Sequence, residues 1–533
     1  MEVLTRRELI KVGSATLLLL YLNQLALGQD AEEVFPQGVA SGDPSQRGVV
    51  LWTRVNPKVH ARKRKDLLLQ LSEDPSFRKF STFRVPASSI GPHRDYTVRI
   101  DLQGRLSPGT VYYYRFVYAG VKSIVGRFST LPQRARELTL GFVVCQNYSD
   151  GYYTAYKHLA QEELHLVVHL GDFIYEKIYG PPRVPGRAVG LPSGERVCIN
   201  IEDYRHLYKV YLSDPNLKLA RALHPFVHTW DDHEFLNDCY YDHQRGVWGY
   251  FVEAHPVGND RQRILQLRQD AIRAWVEYVP ARVQLNPKDP DPLRWIRLYR
   301  DFDLGGLAHL IVLDERSYRE RPPCQGRFGV EGCPEQHKTS MLGKEQFRWF
   351  KDKLLEGEHG WKVVANSVQF SRSLVDGKFG SLDAWEGYAG ERQAILDLIS
   401  KGGRKNLLLL SGDRHAAMVA EVPDSYDRPS RVLGAEFLTP ALSSINALEG
   451  GWWKRSWPQY ATLEDYERAE TSQNPWIKYL NMRTWGYSLI KLSPDRVETT
   501  LLSVNKYDEE AQKRVMARFE YSQGELRRKE VNL

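Results

Sequence analysis

The chain has 533 residues, 26% of them charged and 42% hydrophobic, with a formal net charge of +7. That is ordinary globular composition with material for more than one core. The basic excess is small for the length and forms no stripe interleaved with stacking aromatics, so nucleic acid is not expected as a partner, while a mild attraction for anionic substrates is allowed.

In chain order, Thr5-Arg6-Arg7-Glu8-Leu9-Ile10-Lys11 precedes the apolar run 15–22, and Ala26-Leu27-Gly28 offers a small-x-small cleavage site before Gln29. Residues 1–28 resemble a twin-arginine signal peptide, with Leu9 where an aromatic is more usual. The apolar run is too short to span a bilayer comfortably. The expectation is a periplasmic or extracellular protein with no stable membrane span after cleavage, exported folded by the twin-arginine machinery and so able to carry a cofactor loaded beforehand. The five cysteines are an odd number, which leaves at least one thiol unpaired in an exported protein; Cys145, at a strand end, is the candidate for a functional one. Cys324 and Cys333 bracket a glycine-containing loop and could close a disulfide, and the pairing of Cys198 and Cys239 stays open.

Residues 29–135 read as all β. Runs at 49–53, 67–71, 96–102, 111–118 and 124–128 are separated by Gly, Pro and Ser turns, the rhythm of a β-sandwich, and Leu131-Pro132 begins a linker. Residues 136–505 alternate strands with segments of helical spacing at 151–163, 203–223, 260–279, 344–355 and 390–399, with strands at 308–313 and 361–365. This order predicts an α/β (α+β layered) domain. The tryptophan-rich stretch 450–485 reads either as core packing or as the wall of a cleft. A hairpin over 487–504 turns at Ser493-Pro494-Asp495, and the charged tail 506–533 pairs as a last strand or helix.

Within the layered domain, four apolar runs end in groups that can hold a cation. Residues 140–144 lead to Cys145-Gln146-Asn147; 164–170 to Gly171-Asp172 with Tyr175 three residues on; 224–229 to Trp230-Asp231-Asp232-His233-Glu234; and 407–410 to Ser411-Gly412-Asp413-Arg414-His415. A lone acid at a strand end usually caps the next helix. Four ends carrying thiol, carboxylate, phenol and imidazole are better explained by a shared metal cluster. Thiolate and tyrosinate favour a trivalent, redox-capable ion, whereas Asp232 and Asp413 supply hard oxygen suited to Ca²⁺, Mg²⁺ or Mn²⁺. Two kinds of metal side by side, with Asp172 bridging, is the expectation.

These motifs resemble the metallophosphoesterases, whose pattern is Asp-x-His, Gly-Asp, Gly-Asn-His-Glu or Asp, and Gly-His-x-His. The substitutions at Cys145, Asn147, Asp231-Asp232 and Asp413-Arg414, together with Tyr175, Gly38 to Pro44, Leu51 to Arg54 and Asp383 to Tyr388, are similar to the PhoD-type alkaline phosphatases. The resemblance implies a β-sandwich followed by a metallophosphoesterase-like αββα sandwich, one Fe³⁺, one or two Ca²⁺ and phosphate esters as substrates. Carried over by position, Cys145, Asp172, Tyr175 and His415 would hold iron. Asp172, Asp232, Asp413 and Asn237 would hold calcium, although the family's usual Asn-Asn stands here as Asn237-Asp238. His233 would orient the phosphoryl group or protonate the leaving alkoxide, and a hydroxide or oxide activated by the cations that Asp172 bridges would attack phosphorus in line. Arg414 reads as a substrate contact or a salt bridge, Asn147 as a phosphoryl donor or a turn cap.

The function so implied is an exported phosphoesterase acting on phosphomonoesters and also diesters. The alternatives are a phospholipase D-like phosphodiesterase and a non-catalytic calcium- or phosphate-binding envelope protein. His165, His169 and His228 read as core residues; Asp383, Trp385 and Glu436 have no assigned role beyond the loops that carry them.

Overall fold

The computed structural model describes residues 29–251, 255–326, 328–357 and 360–532; segment 1–28, which resembles a signal peptide, lies outside them. Two large sheets carry the architecture. The first has ten strands, running in spatial order Glu525–Val531, Arg514–Ser522, Val497–Ser503, Gly486–Leu492, Leu138–Val143, Leu166–His169, Pro225–His228, Val39–Ser45, Gly48–Arg54 and Thr97–Asp101. The second has seven, with Ala308–Val312, Trp361–Ala365, Leu407–Ser411 and Val432–Leu438 parallel at its centre.

The short apolar runs form strands because each buries side chains on both faces. In Leu407–Ser411, Leu408 and Leu410 join the core shared with the ten-stranded sheet, while Leu407 and Leu409 pack with Phe350, Leu354, Ile395 and Leu396 of the helices Gly343–Leu355 and Ala389–Lys401. Period-two alternation therefore splits one strand between two cores, each buried leucine contributing about 1.5–3 kcal/mol. The helices Ile201–Tyr211, Pro215–Leu223 and Arg261–Tyr278 add Tyr204, Leu217 and Trp275 to the first core. The result is the expected layered α/β sandwich.

The register aligns the site. Leu138–Val143, Leu166–His169 and Pro225–His228 are parallel neighbours, and Val143 pairs with His169, which pairs with His228. Their carboxyl ends thus stop on one row, where open α/β sheets place ligands.

Segment 29–135 builds a sandwich whose halves differ. Leu67–Ser72, Ser81–Val85, Val111–Tyr118, Val121–Lys122 and Gly126–Ser129 make a five-stranded sheet of their own. Val39–Ser45, Gly48–Arg54 and Thr97–Asp101 instead continue the ten-stranded sheet, with Ser41 in register with Pro225. The Gly38-to-Pro44 motif is the joint. A Cβ on Gly42 would sit 2.1 Å from the Pro280 carbonyl oxygen, and the buried Asp43 carboxylate takes two hydrogen bonds from Arg300, at 2.8 and 2.7 Å. The segment read as a linker is itself packed: Leu131 is buried and Ala135 N donates to Gly305 O at 2.9 Å.

Other expectations shift locally. The helix expected over 203–223 is two helices, because Asp214 caps a new one at Pro215, accepting from Asn216 N and Leu217 N. The tail forms the hairpin Arg514–Ser522/Glu525–Val531. Cys324 and Cys333 are disulfide-bonded; Cys145, Cys198 and Cys239 are free and buried. Glu436, given no role by sequence, is buried and accepts from Phe370 N and Ser371 N, fixing the turn after Trp361–Ala365. Among the described residues, no helix is long and apolar enough to cross a membrane.

Candidate metal centre

The turns beyond the strand ends are strained. Cys145, Asp172, Asp413 and His415 all adopt left-handed backbone, at φ 53°, 56°, 65° and 57°, a conformation that costs about 1–3 kcal/mol for a residue with a side chain and that clusters at functional sites. Glu234 holds the central turns: buried, it accepts from the backbone N–H of Asp172, Phe173 and Asp231 at 3.0, 2.7 and 2.9 Å. Gly171, at φ 111°, passes so close that a Cβ would lie 2.4 Å from Asp231 N. Glycine is required there.

Within this frame the predicted ligands meet. Cys145 Sγ lies 3.3 Å from Asp172 Oδ2, and the Tyr175 hydroxyl lies 3.0 Å from the same oxygen and 3.4 Å from His415 Nε2. Ser444 Oγ stands 2.7 Å from the Tyr175 hydroxyl, and His415 Nδ1 is engaged by the Ile445 carbonyl, which leaves Nε2 facing the cluster. Ligand atoms lie within 4.8 Å of one another in overlapping sets: Cys145, Asp172 and His415; Asp172, Asp232 and His233; Asp231, Asp232 and Asp413; Asp232, Asp238 and Asp383. Asp172 joins the first two sets and Asp232 the last three.

These residues fit cations. Asp172 Oδ1 and Asp232 Oδ1 are buried with no hydrogen-bond partner among the described residues, an arrangement that is costly for a carboxylate unless a cation relieves it. Burial, reinforced by the charge of Asp172, pushes the Cys145 thiol and the Tyr175 phenol well above their ordinary values. Burial likewise raises Asp172 itself, aided by Asp232 and Asp231 and opposed by His233. A bound metal would reverse all three by stabilising the anions.

His233 Nδ1 lies 2.6 Å from Glu176 Oε2, and its ring packs 4.1 Å from that of Tyr175, centroid to centroid. Burial favours the neutral ring, but Asp172, Glu176 and Asp232 outweigh it and hold the imidazole charged well above its usual range. Glu176 also accepts from Asn237 N at 3.0 Å.

A cavity of about 970 Å³ opens over the cluster, lined by Asp172, Tyr175, Asp232, His233, Asn237, Asp413, Arg414, His415 and Asn147, with Tyr179, Phe328 and Trp452 as its apolar wall. Trp453 and Trp457 are buried in a separate core, so the tryptophan-rich stretch serves both packing and cavity. Asn147 Oδ1 caps the turn by accepting from Ser149 N at 3.2 Å, and its amide Nδ2 makes no hydrogen bond among the described residues. The Asn237 side chain accepts from the Tyr179 hydroxyl at 3.2 Å. Arg414 is tied to buried Glu470 at 2.5 Å and to Gln369 at 2.9 Å, the salt-bridge arrangement.

Sequence reasoning left five residues without the place the structure gives them: Glu234 and Glu176, which set the turns and the imidazole; Asp238, whose carboxylate meets those of Asp232 and Asp383; and Arg316 and Asp383, which form a buried ion pair at 2.5 Å. A signal existed for Arg316, since Asp314-Glu315-Arg316 follows the strand Ala308–Val312 as the other motifs follow theirs.

A family model described as PhoD-like phosphatase matches residues 140–501, and one described as PhoD-like phosphatase, N-terminal domain, matches residues 24–132. Alkaline phosphatase D of Bacillus subtilis (strain 168) is 34% identical over 424 residues, covering 77% of this chain and 69% of that protein. A solved structure described as "Structure of PhoD" superposes with a TM-score of 0.78 at 28% identity, covering 94% of this chain and 93% of the other.

Proposed function

Because the chain belongs to the PhoD-like phosphatases and is a phosphoric ester hydrolase, we propose that it is exported by the twin-arginine route and cleaves phosphate monoesters and diesters with one Fe³⁺ and one or two Ca²⁺. Cys145, Asp172, Tyr175 and His415 would hold the iron; Asp172, Asp232, Asp413 and Asn237 would hold calcium. The observation that carries this reading is the convergence of a thiol, a phenol, an imidazole and a chain of carboxylates on Asp172, one of whose buried oxygens has no hydrogen-bond partner among the described residues. Cations bound there supply neutralisation of the phosphoryl oxygens and depress the pKa of water.

The chain's own groups do the rest. Glu176 fixes the His233 ring through Nδ1, leaving Nε2 to orient a phosphoryl oxygen or to deliver a proton to the leaving alkoxide. Asn147 presents to the cavity an amide unengaged among the described residues, and Tyr179 and Trp452 keep one side of the cavity apolar. Cys145 acts as a ligand and not as a nucleophile. Its sulfur lies against Asp172 at the base of the site.

Elemental analysis and the visible spectrum of natively produced protein, alongside hydrolysis of aryl phosphate mono- and diesters with and without calcium, test the reading. Iron, calcium and a thiolate or tyrosinate charge-transfer band are expected. A colourless, zinc-only enzyme of full activity would remove the iron assignment.

A further inference from the structure

Asp231, Asp232 and Asp413 bring ligand atoms within 4.8 Å of one another, the arrangement of a cation site, yet the position among them is taken. The Arg316 guanidinium, fully buried, engages both oxygens of Asp231 through Nε and Nη2, the latter at 2.9 Å. It also donates to Asp413 Oδ1 at 3.1 Å, lies 3.8 Å from Asp232 Oδ2 and pairs with Asp383 Oδ2 at 2.5 Å.

The division of oxygens is clean. Asp231 has both of its oxygens on the arginine. Asp232 Oδ2 takes the Asp238 N–H at 2.6 Å, so its buried Oδ1 is the one left without a partner among the described residues. Asp413 keeps Oδ2 free of hydrogen bonds among the described residues. Asp232, Asp383 and Asp413 line the cavity, whereas Asp231 and Arg316 lie behind its wall. A planar fork that cannot lose its proton suits such a corner better than a mobile ion.

We infer that Arg316 is a positioning residue that serves as a built-in cation: it fills the Asp231–Asp232–Asp413 corner, keeps a further divalent ion out of it, and by holding Asp413 Oδ1 turns the other oxygen of Asp413 toward the metals in the cavity, as the Asp238 N–H does for Asp232. Asp231 is then the arginine's partner and not a metal ligand. The inference rests on the calcium reading above, because it concerns how many such ions the carboxylates accept.

The test is the calcium count per chain at saturation, by equilibrium dialysis and elemental analysis of intact protein. Arg316→Met should bind one more calcium than wild type, and Arg316→Met combined with Asp231→Asn should return to the wild-type count. Asp231→Asn alone, which keeps the size of the side chain and one acceptor for the fork, should leave the count unchanged. It therefore keeps the question open to refutation even if Arg316→Met does not fold. An unchanged count in folded Arg316→Met, or a calcium lost in Asp231→Asn, overturns the inference. Wild type binding no calcium would remove the calcium reading and this inference with it, whereas wild type binding calcium with no gain in folded Arg316→Met defeats this inference alone.

Discussion

Glu234 shows how much of the site depends on a side chain that touches no substrate. Its carboxylate satisfies the backbone N–H groups of Asp172, Phe173 and Asp231, and those bonds hold Asp172 in its left-handed turn. Glu234→Gln turns one acceptor into a donor facing backbone N–H groups, so unfolding in urea should show a loss of about 1–3 kcal/mol, with kcat falling at least about tenfold as Asp172 drifts. Unchanged kcat in folded Glu234→Gln would mean that the turn is held by the strands alone. Cys145→Ser keeps the shape but replaces a soft thiolate donor with a hydroxyl; the visible band should weaken or vanish and the iron content drop, whereas an unaltered spectrum would take Cys145 out of the ligand set. The proposed ligands were legible as candidates because most follow a short apolar run and a turn. The position of Arg316 just past a strand was readable, but its role was not, since its partners Asp231, Asp383 and Asp413 lie 85, 67 and 97 residues away, and no local spacing encodes such a meeting.

At the scale of elements, periodicity found most helices and strands but not how they join. Asp214-Pro215 was a readable helix start that the continuous apolar spacing of 203–223 obscured. The strands Ala417–Pro423 and Val432–Leu438 went unassigned because their small residues, alanine and glycine, carry weak β signals. The N-terminal β segment was legible as a sandwich, but its docking was not: Asp43, in a motif quoted for its resemblance alone, is a buried anchor for Arg300. Asp43→Asn leaves that guanidinium without its counter-charge and should destabilise the protein by about 3–5 kcal/mol, read as a lowered Tm, while the activity of the folded fraction stays near wild type. A large loss of kcat at unchanged Tm would give the segment a catalytic role that the joint does not explain.

For the molecule as a whole, the acidic centre couples metal content to folding. Buried carboxylate oxygens without partners favour the unfolded chain until cations bind, so chelation should lower Tm and added calcium should restore it in a concentration-dependent way. Identical melting curves with and without chelator would show that the carboxylates are neutralised by protons instead. The proposed export is tested at the opposite end of the chain: Arg6→Lys with Arg7→Lys should confine activity to the cytoplasmic fraction, and undiminished export of the double variant would point to another route. Fold class was legible because alternation of strands and helices dictates layers. The continuity of one sheet from residue 39 to residue 531 was not, because strand pairing across hundreds of residues leaves no mark in local pattern.

The row on which Val143, His169 and His228 stand side by side divides the protein into a chassis and a set of interchangeable tips. Beneath it, a one-residue slip would turn every side chain of a strand to the wrong face, so little can vary. Above it, Cys145, Asp172 and Asp232 sit on turns beyond the strand ends, and the same scaffold could be refitted for a different ion by editing those tips.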